Sequence, residues 1–484
     1  MLFSKKITLF SLICFVSLSN VFACLDKEID LSEDSLIQTE KPEYIIIDSI
    51  IVEGNKRTKN QIIYRELLFH VKDTINKDEW DFKIKKSAEN LTNTSLFNFV
   101  FIDTLNNDDK KIIKICVVER WYLWPFPIFE LSERNFNTWW ETKDLNKINY
   151  GLYFVKQNFR GRREDIRFLV RLGFEEIYNI SYYIPYLDKN QTLGLGLSFG
   201  LSRNKEVAYR TFNNKQEYFR VDDFYIRENV KSNIQLTYRK DFFITNYILL
   251  GYNNLYFSDT LIKQNDYYSE EGLRSNKYFS VYYLFKNDHR DNKAYPLDGY
   301  YFDFDITKLG IGILPNEKIN TFYLRSTYRK YFQINENIFY AFGLRTKLSN
   351  NDFQPFFVKQ GLGFGNDYVR GYEYYVVDAI SYELFKNNFK YQIIKPHIKK
   401  FNFFKNEKFN MLHYALYFNI FSDCAYTYDY KPILMYSNNM TNSLIYSYGI
   451  GIDIVTYYDK VLRLEYSINK MNEKGFFINF VAPI

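Results

Sequence analysis

Asp165-Ile-Arg-Phe-Leu-Val-Arg-Leu-Gly-Phe174 carries apolar side chains at 166, 168, 170, 172 and 174, with Asp165, Arg167 and Arg171 between them. A period of two sustained over ten residues places the two sets on opposite faces of an extended strand. Phe302, Phe304 and Ile306 alternate in the same way with Asp303, Asp305 and Thr307. Leu462, Leu464, Tyr466 and Ile468 alternate with Arg463, Glu465, Ser467 and Asn469. The pattern holds from Asn149 to the end of the 484-residue chain. It predicts a mainly β protein.

A soluble sandwich also alternates, so the decision rests on the long strands, the aromatic load and an export segment. Aromatic residues make up 20%, mostly 45 Tyr and 46 Phe, far above ordinary usage, although an AT-rich genome would supply part of that bias. In an outer-membrane barrel the apolar face meets lipid, the polar face lines a wet lumen, and Tyr and Phe form girdles at both interfaces. Residues 149–484 are therefore expected to form a transmembrane antiparallel β-barrel. Sixteen strands of about ten residues leave about 12 residues per connection. Fourteen or eighteen strands pass the same test. Arg167, Arg171, Asp303, Asp305, Arg325 and Arg329 are then expected to line a solvated lumen.

Charged residues at 25% and the lack of any apolar run of spanning length after the N-terminus exclude a helical membrane bundle. A hydrophobic content of 46% excludes disorder. The net charge of +6 is spread along the chain, which argues against a nucleic-acid surface. Cys14, Cys24, Cys116 and Cys424 are too scattered for a disulfide framework or thiolate metal site. His70, His289, His397 and His413 form no metal pattern, and there is no phosphate loop or defensible catalytic triad. No cofactor and no catalytic residue is expected.

Lys5 and Lys6 precede an apolar run over residues 7–16, and Val21-Phe22-Ala23 has the pattern of a signal-peptidase site, so residues 1–23 are expected to be a signal peptide. Cys24 leaves lipidation as an alternative fate. An acidic flexible linker, 24–42, follows. Residues 43–120 read as a small β-α-α-β-β domain. A strand at 44–53 stops at Gly54-Asn55, a turn dipeptide. Thr58 and Gln61 form a capping box ahead of Ile63, Leu67 and His70, and Asn76 with Glu79 starts a second helix whose Trp80, Ile84, Ala88 and Leu91 face a core. Strands at 100–105 and 111–119 close the unit. Residues 121–148 are expected to be a linker bearing Trp121, Trp124, Trp139 and Trp140, stiffened by Pro125 and Pro127, lying on the inner leaflet or against the barrel rim.

Ile50-Ile-Val-Glu-Gly-Asn-Lys-Arg-Thr58 and Leu91-Thr-Asn-Thr-Ser-Leu-Phe97 resemble a POTRA domain, the periplasmic module of outer-membrane assembly factors, with Gly54, Asn55 and Thr58 as its turn. Ser95 stands where that family usually has Gly. Gly361-Leu-Gly-Phe-Gly365 followed by Tyr368-Val-Arg-Gly-Tyr372 resembles the sixth-loop signature of the BamA/TamA-type superfamily, also called the bacterial surface antigen family. The resemblance implies that Arg370, flanked by Val369, Gly371 and Tyr372, pairs with an aspartate. Phe421-Ser-Asp-Cys-Ala425 assigns that role to Asp423, with Ala425 in place of the usual Gly. Asp288-His-Arg-Asp-Asn292 with Pro296 and Gly299 resembles the family's inter-strand turn, in which Asp288, Arg290, Asp291 and Asn292 are matched, and Gly449-Ile-Gly451 matches near the penultimate hairpin. Ile484 departs from the family's terminal aromatic, with Phe480 lying further in.

The resemblance implies an outer-membrane protein, its N-terminal domain in the periplasm. It implies insertion or translocation of unfolded outer-membrane or secreted clients by strand addition, at the small domain and at a seam between residues 149–158 and 476–481. Partners would be the outer-membrane bilayer and the clients, with periplasmic chaperones or accessory lipoproteins as further candidates, and no nucleic acid. A dedicated two-partner secretion pore is the alternative, followed by a passive channel; a barrel enzyme would need a catalytic set that the sequence does not offer.

Overall fold

The computed structural model describes residues 44–107, 110–131, 140, 148–350, 353–400, 411–430, 438–456 and 460–479. The expected signal peptide and linker, Cys24, Trp139, Phe480 and Ile484 lie outside them.

The small domain runs β1 (Tyr44–Glu53), α1 (Asn60–Tyr64), β2 (Thr74–Asn76), α2 (Lys77–Asn93), β3 (Phe97–Asn107) and β4 (Lys110–Glu119). Its sheet has the order β2-β1-β4-β3, with β1 parallel to β4 and β3 antiparallel to it. Alternation sends Ile45 and Ile47 of β1 and Ile113, Ile115 and Val117 of β4 to one face, where they meet Trp80 and Leu91 of α2 and Ile62 and Ile63 of α1. Asn76 caps α2 by accepting the Asp78 N–H, and Asp78 and Glu79 complement the positive end of the helix. Relative to the expected order, one short strand is added.

The first helix departs from expectation. It is five residues long, and its N-cap is Lys59, with no side-chain cap. Thr58 Oγ1 donates instead to Glu119 Oε1 at 2.7 Å, because a buried carboxylate is a stronger partner than a backbone amide. The chain then leaves the helix at Arg65, so Leu67 and His70 do not continue its stripe.

Sixteen strands form one antiparallel sheet: β5 (Leu123–Leu131), β6 (Ile148–Phe159), β7 (Glu164–Gly173), β8 (Glu175–Ile184), β9 (Leu193–Asn204) and, after a separate hairpin of β10 (Glu206–Phe212) and β11 (Lys215–Arg220), the eleven strands β12 to β22. These are β12 (Arg227–Tyr238), β13 (Ile244–Phe257), β14 (Ser275–Asp288), β15 (Gly299–Leu309), β16 (Thr321–Gln333), β17 (Ile338–Ser349), β18 (Ser381–Lys400), β19 (Met411–Tyr428), β20 (Leu444–Val455), β21 (Val461–Asn469) and β22 (Lys474–Asn479). Neighbours in the sheet follow chain order, β12 pairing with β9 across the hairpin.

The sheet begins earlier than the alternation suggests. Leu123-Trp-Pro-Phe-Pro-Ile-Phe129, inside the expected linker, pairs with β6 from Leu123 opposite Lys156 to Leu131 opposite Ile148. Pro125 and Pro127 mask this strand, since proline cannot donate to a ladder. They are tolerated because β5 ends the sheet and is paired on one side only among the described residues. The terminal strands of the sheet are therefore β5 and β22, in place of the segment 149–158 and the last strand.

Burial is inverted relative to a soluble protein. On β21 the charged and polar Arg463, Glu465, Ser467 and Asn469 are buried, while on β20 Tyr446, Tyr448, Ile450 and Ile452 are exposed. Ile234 and Leu236 of β12 are exposed likewise. Apolar outside and polar inside is stable only in lipid, and closing a sheet satisfies its backbone there. No helix among the described residues is long and apolar enough to cross a membrane. The sheet curls on itself: the β14–β15 turn reaches β20, with Tyr295 Oη 2.8 Å from Asp453 Oδ2, and the β10–β11 turn reaches the β19–β20 connection.

Candidate functional site

Residues 353–380, between β17 and β18, fold into the lumen. The Leu362 and Val377 backbones pair in both directions, at 3.0 and 2.8 Å. Asp367 accepts the Tyr382 hydroxyl at 2.5 Å and ion-pairs with Arg345 at 2.8 Å. These contacts brace the two arms of the loop, and its tip carries Val369-Arg-Gly-Tyr372.

Arg370 is 2% exposed and grips Asp423 in a fork, Nε at 2.8 Å and Nη2 at 2.6 Å, while its own backbone N–H donates to the same carboxylate at 3.1 Å. The guanidinium also donates to Asn387 O at 3.0 Å and to Glu465 Oε1 at 3.4 Å, and lies 3.9 Å from the centre of the Phe421 ring. Almost every donor of a buried arginine is thereby used, which is what makes the buried charge tolerable. Gly371 has φ +84°, and a Cβ there would come within 2.9 Å of Ser467 Oγ, so glycine lets the tip lie on β21. Opposite Phe421, Gly449 leaves the room its ring occupies: a Cβ would stand 2.6 Å from the Phe421 Cζ. Val369 and Tyr372 are buried with Ala425, and Tyr372 Oη donates to Tyr446 O at 3.2 Å. Asn469 Nδ2 donates to Gly371 O at 3.1 Å, and the Tyr374 and Phe477 rings lie 5.7 Å apart. The tip thus clamps β19, β21 and β22 together.

Three further residues complete this cluster. Arg463 on β21 makes a two-point pair with Asp453 on β20, 2.7 and 2.8 Å, and lies 3.7 Å from Glu465. Glu465 Oε2 accepts Asn479 Nδ2 of β22 at 3.1 Å. The alternation at 462–469 marks these positions as inward, but only the fold supplies their partners. Arg325 likewise reaches Asp305 directly opposite it, with Nε 3.1 Å from both oxygens.

The Asp288 turn closes the end of the lumen that carries the small domain. Arg290 pairs with Asp288 at 2.7 and 2.9 Å, and Asn292 Oδ1 accepts the Ala294 and Tyr295 amides, a side-chain mimic of a turn. Asp291 Oδ1 accepts Leu297 N, Pro296 is buried, and Gly299 opens β15. The result drives Tyr295 inward against Tyr417, ring centres 4.8 Å apart.

The small-domain turn is exposed at Gly54 and meets the barrel at its Thr58 end. Gly54 has φ +90°, and Asn55 Nδ2 donates to Thr58 O at 2.9 Å. Asn158 of β6 donates to Thr58 Oγ1 at 2.9 Å, and Lys59 N–H to Gly161 O at 3.0 Å. Beside it, Glu66 is buried and receives Arg239 at 2.7 and 2.8 Å and Arg163 at 3.5 Å. Burial pushes the Glu66 carboxyl up, but Arg239 above all, then Arg163 and Arg65, hold it down at about 2. A polar cavity of 410 Å³ lies between these residues and Lys286, Asp288 and Arg290.

At the opposite end, the β10–β11 hairpin crosses the mouth. Asn214 N–H donates to Asn438 Oδ1 at 2.8 Å, its Nδ2 to Asn439 Oδ1 at 2.8 Å, and its carbonyl accepts Val376 N of the inner loop at 2.8 Å. Replacing Asn214 and Asn438 together by alanine is expected to raise single-channel conductance in planar bilayers several-fold. A wild-type chain that already conducts as well as the variant would show that this clasp closes nothing.

A barrel with an inner loop locked by an arginine and an aspartate, and preceded by a small α+β domain, can be set beside known proteins. The Omp85 superfamily domain matches residues 158–475. The chain belongs to the Omp85 superfamily. Its fold is similar to that of BamA from Haemophilus ducreyi lacking POTRA domains 1–3, at 14% identity and a TM-score of 0.50, covering 90% of this chain and 83% of that one. CdiB from Escherichia coli is similar at 9% identity and a TM-score of 0.51, covering 93% and 92%. No curated protein matches the sequence. Members of this superfamily are assembly or transport factors, not enzymes, so an outer-membrane role in protein insertion or secretion follows for this Omp85 chain.

Proposed function

We propose that this Omp85 protein inserts unfolded polypeptides into the outer membrane by strand exchange at the seam between β22 and β5, with the small domain in the periplasm. The observation that carries the reading is the seam. β22 and β5 are the two terminal strands of the sheet, β5 bears two prolines, and among the described residues no pairing register joins them. A backbone amide or carbonyl left unpaired in lipid costs several kcal/mol, so a terminal strand interrupted by proline is where an incoming strand would be held by pairing. The inner loop supports the reading from inside: the Arg370–Asp423 lock holds β19, β21 and β22 in one geometry while the seam alone yields. No covalent step is needed. The edge strand of the small sheet, β3, is the second place where an extended client or an accessory factor would add a strand.

The test is refolding of a urea-denatured client barrel in liposomes containing this protein, read as protection from protease, beside an Arg370→Ala control. Accelerated client folding that the control loses is the expected result. Equal client folding with and without the protein would remove the insertase reading in favour of a dedicated secretion pore.

A further inference from the structure

The turn that resembles the family's inter-strand motif does more than join β14 to β15. On one side it meets the small domain: Asn93, the last residue of α2, donates through Nδ2 to Asp291 O at 3.2 Å and accepts Lys293 N–H through Oδ1 at 3.1 Å. On the other side Tyr295, 5% exposed, crosses the lumen and donates to Asp453 Oδ2 at 2.8 Å, its ring packed on Tyr417 and lying under the Lys390 ammonium at 4.3 Å. Asp453 holds Arg463, Arg463 lies against Glu465, and Glu465 accepts Asn479 of the last strand. A series of polar contacts, passing through the short turn from Asp291 to Tyr295, therefore runs from the C-terminus of a small-domain helix to the last strand. Apart from the covalent turn between Asp291 and Tyr295, every link is a discrete hydrogen bond or ion pair, several of them buried, where such contacts are strongest and their loss costs most.

We propose that Tyr295 is a positioning residue that couples the small domain to the seam: contact of α2 with the β14–β15 turn holds Tyr295 on Asp453, and this keeps β21 and β22 registered. Movement of the small domain would withdraw the tyrosine and loosen the last strand. The phenol rather than the ring carries the coupling, since the ring's packing survives loss of the hydroxyl. This goes beyond insertion itself, because the coupling exists whether or not a client is present.

The experiment is hydrogen exchange, read by mass spectrometry, on the full chain in lipid nanodiscs without client, for Tyr295→Phe, Asn93→Ala and the double variant. The expected result is faster exchange of the β22 amides, roughly tenfold in Tyr295→Phe and roughly threefold in Asn93→Ala. The double variant should match Tyr295→Phe alone, because both changes cut one series, and the β10–β11 hairpin should be unchanged in all three. Unchanged β22 exchange in either single variant, multiplied effects in the double, or a rise spread evenly over the barrel would each overturn the proposal. None of these readings depends on insertion activity, so the coupling and the insertase role fail separately.

Discussion

Replacing Arg370 by alanine is expected to free the inner loop from the barrel wall and abolish client insertion while the sixteen-stranded sheet still forms. The change removes the fork on Asp423 and leaves that carboxylate, 2% exposed, beside Glu465 with no guanidinium between them. Breaking a buried pair from one side costs about 3–5 kcal/mol, which at the scale of one loop is a shift from closed to open by a factor of at least about a hundred. Trypsin should then cut within residues 353–380, while heat-modifiable migration of the barrel on gels is retained. Removing both charges, by Arg370→Met with Asp423→Leu, should recover part of the closed loop, because neither member of the pair is left without the other. A loop as resistant to trypsin in Arg370→Ala as in the wild type would sink the idea that this pair is the lock.

Glu66→Gln is expected to undo the seating of the small domain. Arg239 and Arg163 converge on this carboxylate, with the Tyr186 hydroxyl at 3.3 Å and Arg65 alongside, donating to Arg239 O. Depression of the Glu66 carboxyl from an ordinary 4.5 to about 2 is worth roughly 3 kcal/mol of docking. Because the docked value is the lower one, this contribution is fully present above pH 4.5 and is lost as pH falls towards 2. Differential proteolysis of residues 45–120 between pH 7 and pH 3 measures it. The wild-type domain should become more susceptible at the lower pH, and Glu66→Gln should be susceptible at both with no pH dependence of its own. A variant that docks as firmly as the wild type at pH 7 would show that the Thr58 and Asn93 contacts suffice.

The two kinds of evidence in the chain were unequally legible. Alternation reports the faces of a strand directly, so the lumenal positions at 463, 465 and 303, 305 could be read before any partner was known. The Val369-Arg-Gly-Tyr372 tip is compact enough in sequence to be noticed. Glu66 and Arg239 stand 173 residues apart and neither sits in a pattern, so one sequence contains nothing that joins them. β5 was hidden by Pro125 and Pro127, whose ordinary meaning is a linker and whose place here depends on the strand being the last in its sheet. Thr58 was read as a helix cap because the local chemistry of a cap and of a bond to a distant carboxylate is the same hydroxyl. Tyr295 lies inside a turn whose proline and glycine account for its local geometry, and no local pattern marks its inward reach.

The small domain is fastened at Gly161, Gln191, Arg239 and Asp291, that is, to four of the barrel's inter-strand turns. Mechanically this makes it a shelf and not an arm. On the proposed function, the separation between its edge strand β3 and the seam is set while those four attachments hold, and the search through conformations that would bring the two ends of a client to those places falls on the client chain. A polypeptide still unfolded bears that entropy easily and one already collapsed does not, so on the proposed function the shelf would select substrates by their slack and not by their sequence.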